Sequence, residues 1–210
     1  MLRVTLTGGR AMQPFCKGRY RARLAETPGD LRESQRLRWL AFVARTGRSD
    51  DGQSLDADHL DDDCRHMLIH DLRDDRLVCS FRFLPLADGS QIARSYSAQF
   101  YDLAALGRFD GPMVEMGRFC LHPDCHDPDV IRLAWGALTR FIEETGVEML
   151  FGCSSFSGLD PETHAEAFAM LKDRHLAPRR WWPRVKAPTV FRFARALRLR
   201  QPDPRRAAET

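Results

Sequence analysis

Between residues 112 and 156 the chain reads PMVEMGRFCL, then HPDCHDP, then an amphipathic helix, then EMLFGCSSF. No other feature constrains the fold as much as this strand, helix, strand order. Two strands joined by a crossover of a dozen or more residues can pair parallel, and the helix between them then packs on the sheet. The helix is delimited at both ends: Asp127 is its N-cap and Pro128 its first residue. Ile131, Trp135, Leu138 and Ile142 repeat at helical spacing, and Gly146 stops it.

The remaining elements fit around this unit. An earlier helix opens at Asp30 with Glu33 three residues on, carries Leu37, Leu40, Ala41 and Ala44 on one face, and ends at Gly47. A third starts at Asp160-Pro161, buries Ala165, Phe168 and Ala169, and cannot pass Pro178. RHMLIHD and LVCSFRFLPL, joined by LRDD, read as an antiparallel hairpin, and APTVFRFARAL reads as a last strand. The fold class is therefore α/β, a mixed and mostly antiparallel sheet with a central βαβ unit and flanking helices. With 210 residues and 43% hydrophobic content, one core is expected. Residues 19–195 would form a single domain, with an N-terminal tail at 1–18 and a disordered tail at 196–210.

Bulk properties exclude several classes of function. A formal charge of +3 names no nucleic-acid partner. The opening MLRVTLTGGRAMQPF lacks a secretory apolar run and no window is long enough to span a bilayer, so a cytoplasmic protein is expected. The six cysteines are scattered and read as reduced thiols. CLHPDCH has no second ligand pair to close a zinc site. The acidic stretch SDDGQSLDADHLDDD lacks the glycine and terminal glutamate of a calcium loop. No metal is expected.

Within the central strand, Glu115 and Arg118 are three apart and in regular alternation would face opposite sides. Gly117 between them suggests a β-bulge, which would rotate Arg118 to the side of Glu115 and leave a backbone N–H available to a ligand oxygen. Two roles stay open at this point: a buried ion pair that holds the sheet in register, or a reactive pair in a cleft.

Glu115-x-x-Arg118-Phe119, together with Arg82 in SFRFLPL, DADHLDDDCRHML, and RLRWLAF in the first helix, resembles the acyl-carrier-protein-dependent N-acyltransferases of the GNAT superfamily. The continuation LFGCSSFSGLDP, AWGAL in the crossover helix and Cys64-x-His66-Met67-Leu68 look like the ornithine acyltransferases that make lyso-ornithine lipid in bacteria. Acyl-homoserine lactone synthases share E-x-x-R-F and the Arg82-Phe83-Leu84-Pro85 strand, but FGCSSF is not expected in them. The resemblance covers about residues 19 to 187.

The resemblance implies a GNAT-like fold with a bulged central strand and a thioester attacked by an amine. A 3-hydroxyacyl chain would arrive on the 4'-phosphopantetheine of acyl carrier protein, between the central strand and its parallel neighbour, with no tightly bound cofactor. Glu115 would be the base for the α-amine of L-ornithine, and backbone N–H groups of Phe119, Cys120 and Leu121 would hold the oxyanion. Arg38, Arg82 and Arg118 match the family pattern and would hold the amino-acid carboxylate or pair with the Asp loop, with Asp61 facing the side-chain ammonium.

The usual GNAT pyrophosphate loop is absent, which argues against coenzyme A as donor. His126 and Arg132 at the start of the crossover helix, with Gly152, Cys153 and Ser154, would meet the phosphopantetheine arm. No tyrosine follows the central strand to protonate the leaving thiolate. The segment APRRWWPRVKAP sets Arg179, Arg180, Arg184 and Lys186 beside two tryptophans. It would dock the acidic carrier protein, cover the core, or touch the inner membrane peripherally. The competing functions are acyl-homoserine lactone synthesis from S-adenosylmethionine and a non-catalytic module that binds carrier protein or membrane.

Overall fold

The computed structural model describes residues 12–49, 52–156, 158–203 and 205. Among these the elements run β1 (Phe15–Lys17), β2 (Tyr20–Leu24), α1 (Pro28–Arg38), β3 (Arg65–Asp71), β4 (Arg76–Leu86), α2 (Ser97–Phe100), β5 (Tyr101–Asp102), β6 (Met113–Leu121), α3 (Pro128–Thr145), β7 (Met149–Phe151), α4 (Ala165–Arg174), β8 (Arg184–Val185) and α5 (Phe193–Ala196). They divide into two compact units. The first takes the chain up to Gln91 together with Asp110–Gly152, and the second takes Ile92–Phe109 together with the chain from Cys153 onward. Most of the expected tail at 1–18, positions 50 and 51 of the acidic stretch, and 204 and 206–210 of the expected C-terminal tail lie outside the described residues.

The first unit is a six-stranded sheet in the order β1-β2-β3-β4-β6-β7. All neighbours are antiparallel except β6 and β7, which the crossover α3 makes parallel. This is the GNAT-like mixed sheet expected from the sequence. The hairpin β3–β4 and the strand β6 fall where the apolar runs place them. The strands β1 and β2 at one end of the sheet are an addition, because FCK and YRARL are too short and too charged to stand out by alternation.

One face of the sheet is the apolar core. Met67, Ile69, Cys79, Phe81, Phe83 and Val114 pack there against Val130, Leu133, Ala137, Leu138 and Phe141 of α3. Phe83 stacks on Phe141 with ring centroids 4.2 Å apart. α3 begins at the Asp127 cap and Pro128 and ends at Gly146, whose φ of 68° needs no Cβ penalty.

The other face lies under α1 and is partly polar: Ser80 meets Ser34 at 2.7 Å, beside an apolar group of Leu37, Leu68, Leu77 and Cys120. α1 begins three residues earlier than expected. Thr27 caps it and Asp30 closes the capping box, with Asp30 N–H donating to Thr27 Oγ1 at 3.1 Å and Thr27 N–H to Asp30 Oδ2 at 3.0 Å. The box is therefore Thr-Pro-Gly-Asp rather than Asp30 with Glu33. Beyond Arg38 the helix widens into a π turn at Trp39–Val43, tightens at Ala44–Thr46 and stops at Gly47, as expected.

In the second unit, Asp160 caps a short turn at Pro161–His164 that leads into α4. Phe168 of α4 gathers Phe156, Phe191 and Phe193 around its ring. The strand expected in APTVFRFARAL is not formed; its last part is the single helical turn α5. Phe191 and Phe193 satisfy their hydrophobicity on Phe168 rather than on a sheet, so an apolar alternation does not become a strand here. Lys172 Nζ donates to the carbonyls of Leu197 at 2.9 Å and Arg200 at 2.8 Å. Among the described residues no helix is long and apolar enough to cross a membrane.

Candidate active site

β6 is irregular at one point. Gly117 pairs with Arg82 and Cys120 with Ser80, so Arg118 and Phe119 together stand opposite the single residue Phe81. This is a β-bulge, and its left-handed residue is Arg118, with φ 54°. Gly117 does not carry the positive φ, and a Cβ there would meet nothing within 4 Å. The glycine thus marks the bulge without causing it. For an arginine the left-handed conformation costs roughly 1–2 kcal/mol, a strain that surrounding contacts must offset.

The bulge sets which side chains share a face. Glu115 stands opposite Leu84, and Gly117 opposite Arg82, on the α1 side of the sheet. Arg118 turns to the same side, where its guanidinium lies over the Phe42 ring of the π turn at 5.9 Å and reaches Asp58 Oδ2 at 3.4 Å and Asp56 Oδ1 at 3.6 Å. Phe119 turns the other way and stacks between Phe81 and Trp135, at 5.3 and 6.5 Å. Glu115 is 4% exposed and Arg118 keeps 30% of its side chain accessible. The expected rotation of Arg118 onto the side of Glu115 is present, one residue later than the glycine suggested.

Behind this pair lies a closed network of charges. Arg38 is fully buried and forks onto Asp61 at 2.6 and 3.1 Å, with Nε on Asp56 at 3.3 Å and Nη2 on the Asp56 carbonyl. Arg82 holds Asp58 with two nitrogens at 2.7 and 2.9 Å and also touches Asp61. Gln35 donates to Asp61 at 2.9 Å. Burial would push the Asp61 carboxyl up, but hydrogen bonds from Arg38 and Gln35 hold it well below the usual carboxylate range. Asp58 is likewise held low, chiefly by Arg82 against burial. Arg82 is raised, because Asp58 outweighs the desolvation that would lower it.

Asp56, Asp58 and Asp61 thereby bind the loop before β3 onto the sheet. The sequence signals were an Asp-x-Asp-x-x-Asp spacing and two arginines, Arg38 and Arg82, placed on otherwise core-facing positions. Asp56, Asp58, Gln35 and Phe42 were not singled out by sequence reasoning. His66, opposite Arg82 in β3, completes the layer: its Nε2 meets the Asp61 carbonyl at 3.0 Å, so the hydrogen sits on that nitrogen. Burial pushes its pKa down and keeps the ring neutral. Cys64 is a poor nucleophile, since burial pushes its thiol up to about 12.

At Glu115 the sheet opens. β7 pairs with β6 for three rungs, Met113 with Met149, Val114 with Leu150 and Glu115 with Phe151; among the described residues no strand continues along β6 on that side. EMLFGCSSF is thus a strand only at its start. Gly152 lies so close to β6 that a Cβ would stand 2.3 Å from the Met116 carbonyl oxygen. Further along, His122 N–H donates to Val78 O at 2.8 Å and Cys120 stands opposite Ser80. Amides alternate sides along a strand, so the Cys120 N–H points at β4 and the Leu121 N–H points into the opening.

The other expected residues are placed as follows. His126 and Arg132 are exposed at the start of α3, where Arg132 pairs with Asp129 at 2.6 Å. The Asp127 carboxylate already takes that helix start: it accepts from Asp129 N–H at 2.9 Å, Tyr20 Oη–H at 2.9 Å and Arg19 at 3.1 Å. Cys153 belongs to the second unit, with its sulfur 3.1 Å from Ser97 Oγ, and Ser154 follows it, exposed. Arg179, Arg180, Arg184 and Lys186 are all exposed in that unit. Arg179 and Arg180 lie over the rings of Trp182 and Trp181, and Lys186 donates to the Ala98 carbonyl at 2.7 Å.

Residues 37–136 match the family described as an acetyltransferase (GNAT) domain. Over 176 residues the chain is 33% identical to an L-ornithine N(alpha)-acyltransferase of Rhodobacter capsulatus, covering 80% of this chain and 68% of that protein. Similarity extends to proteins of the same name in Agrobacterium fabrum, 29% identical over 78% of this chain and 60% of the relative, and Brucella abortus, 26% identical over 78% and 62%. The chain thus spans about two thirds or less of the length of these curated relatives.

Proposed function

The chain belongs to the L-ornithine N(alpha)-acyltransferase family of the GNAT fold, and from that premise we propose that it moves a 3-hydroxyacyl chain from an acyl carrier protein thioester to the α-amine of L-ornithine. The product is lyso-ornithine lipid. The observation that supports this most is the shared face of Glu115 and Arg118 at the rung where β6 and β7 part.

On this reading the phosphopantetheine arm enters along the open edge of β6. Glu115 takes a proton from the α-ammonium, which is largely protonated near neutral pH. The amine nitrogen attacks the thioester carbonyl, and the Leu121 N–H, directed into the opening, donates to the oxygen as it becomes an oxyanion. As the attacking nitrogen loses its second proton to water, collapse breaks the C–S bond and the thiolate leaves, taking up the proton held by Glu115. Arg118, partly exposed and held at 3.4 Å or more by its acids, exchanges those contacts for the substrate carboxylate. Arg38 and Arg82 are committed to Asp56, Asp58 and Asp61, and they keep the loop beneath Arg118 in place.

The test is incubation of the purified protein with 3-hydroxyacyl carrier protein and ornithine, with and without S-adenosylmethionine, and product identification by mass spectrometry. Acyl-ornithine formed without the sulfonium compound is the expected result. A lactone formed only in its presence would make the protein a signal synthase, and absence of turnover with every donor would leave a binding module.

A further inference from the structure

From Arg174 to Pro202 the sequence holds nine basic residues and no acid, so the rest of the chain carries six more acids than bases. Within the second unit this segment supplies one edge of the two-stranded ribbon β5–β8. Tyr101 stands opposite Val185 in that ribbon and the pair projects outward, 44% and 50% exposed, next to Phe100 at 47%. Trp182, 38% exposed, precedes β8 and is held by its Nε1–H on the Ala177 carbonyl.

Arginines border these side chains. Arg179 lies over the Trp182 ring, Arg180 over Trp181, and Arg184 is exposed on β8. Among the described residues no carboxylate lies within ion-pair distance of any of the three. Asp102, opposite Arg184, is turned to the Ala104 N–H instead.

We propose that this surface docks the protein on a membrane leaflet rich in anionic phospholipid. Aromatic rings with a polar handle rest at headgroup depth, and aliphatic tips such as Val185 enter the acyl boundary. These arginines, with no carboxylate at ion-pair distance among the described residues, reach phosphate groups while their stems stay on apolar surface. An acidic carrier protein would use the arginines, but it offers no apolar phase to the exposed side chains of Phe100, Tyr101, Trp182 and Val185. Those exposed side chains favour lipid. The inference stands on this surface alone and is read by binding, so its failure is separate from failure of the proposed reaction.

Flotation of the full chain with vesicles of phosphatidylcholine alone, or with about a third phosphatidylglycerol, tests it. The wild type is expected to partition onto the anionic vesicles at least tenfold better, and less so as salt rises. The triple variant R179Q/R180Q/R184Q should lose that preference, and V185S, at an exposed position where folding is little affected, should weaken partition severalfold. Circular dichroism melts establish that each variant is folded. Equal binding to both vesicles, no binding to either, or retention on acyl carrier protein through the same three arginines without vesicle binding would each overturn the proposal.

Discussion

Arg118 reaches the Asp58 carboxylate at 3.4 Å, whereas Arg82 grips the same carboxylate with two nitrogens at 2.7 and 2.9 Å. One acid therefore serves two arginines unequally. Arg82 is buried and its fork matches the carboxylate plane, while Arg118 arrives from a bulge and is partly exposed. The first contact is a structural anchor, and the second is longer and made by a side chain that keeps 30% of its surface accessible.

Replacing Glu115 with glutamine keeps its shape and removes its basicity. Turnover of acyl carrier protein and ornithine is expected to fall about 10²- to 10⁴-fold, the usual contribution of a positioned base. The melting temperature should stay near that of the wild type. Turnover within a factor of two of wild type would remove Glu115 from the reaction.

At Arg118 activity and stability should separate. Arg118→Gly relieves a positive φ of 54°, by about 1 kcal/mol against the loss of weak ion pairs, and so should unfold at an unchanged or higher urea midpoint. The same variant should raise KM for ornithine at least tenfold. A parallel loss of stability and unchanged KM would make the residue purely structural.

Gly117 in β6 and Gly152 just after β7 should respond differently. Gly152→Ala would place a Cβ 2.3 Å from the Met116 carbonyl oxygen, backbone that cannot swing aside, and should cost about 1–3 kcal/mol of overpacking strain. Gly117→Ala has open space and should cost little. Denaturant midpoints of the two variants decide it.

Acid should weaken the charged layer. The Asp58 and Asp61 carboxyls are held below their unfolded values by Arg82, Arg38 and Gln35, so their contribution is fully present above the unfolded pKa of about 4. It is lost as pH falls below that value through the folded ones. Asp61→Ala leaves Arg38 and Arg82 short of their shared acid and should destabilise the fold by about 3–5 kcal/mol at neutral pH. Urea midpoints measured from pH 7 down to about pH 3 should fall for the wild type and change less in the variant.

Much of the scaffold is local in origin and therefore legible in the chain. Asp127, Pro128 and Gly146 each act on backbone within one turn, so α3 could be delimited from them, and a helix of that length between two apolar strands allows a parallel pair. Glu115 and Arg118 stood out as charges in an apolar strand. Three things were decided by the tertiary structure. The bulge took Arg118 as its left-handed residue, because strand pairing with Ser80 and Arg82 fixes which position is left over, and no local propensity of arginine favours it. Arg38 and Arg82 found their acids 18 to 24 residues away, since a buried guanidinium takes whichever carboxylates the fold brings within reach. And β7 ends after three rungs, where Gly152 comes close to the Met116 carbonyl, an approach between segments that no pattern within either strand encodes.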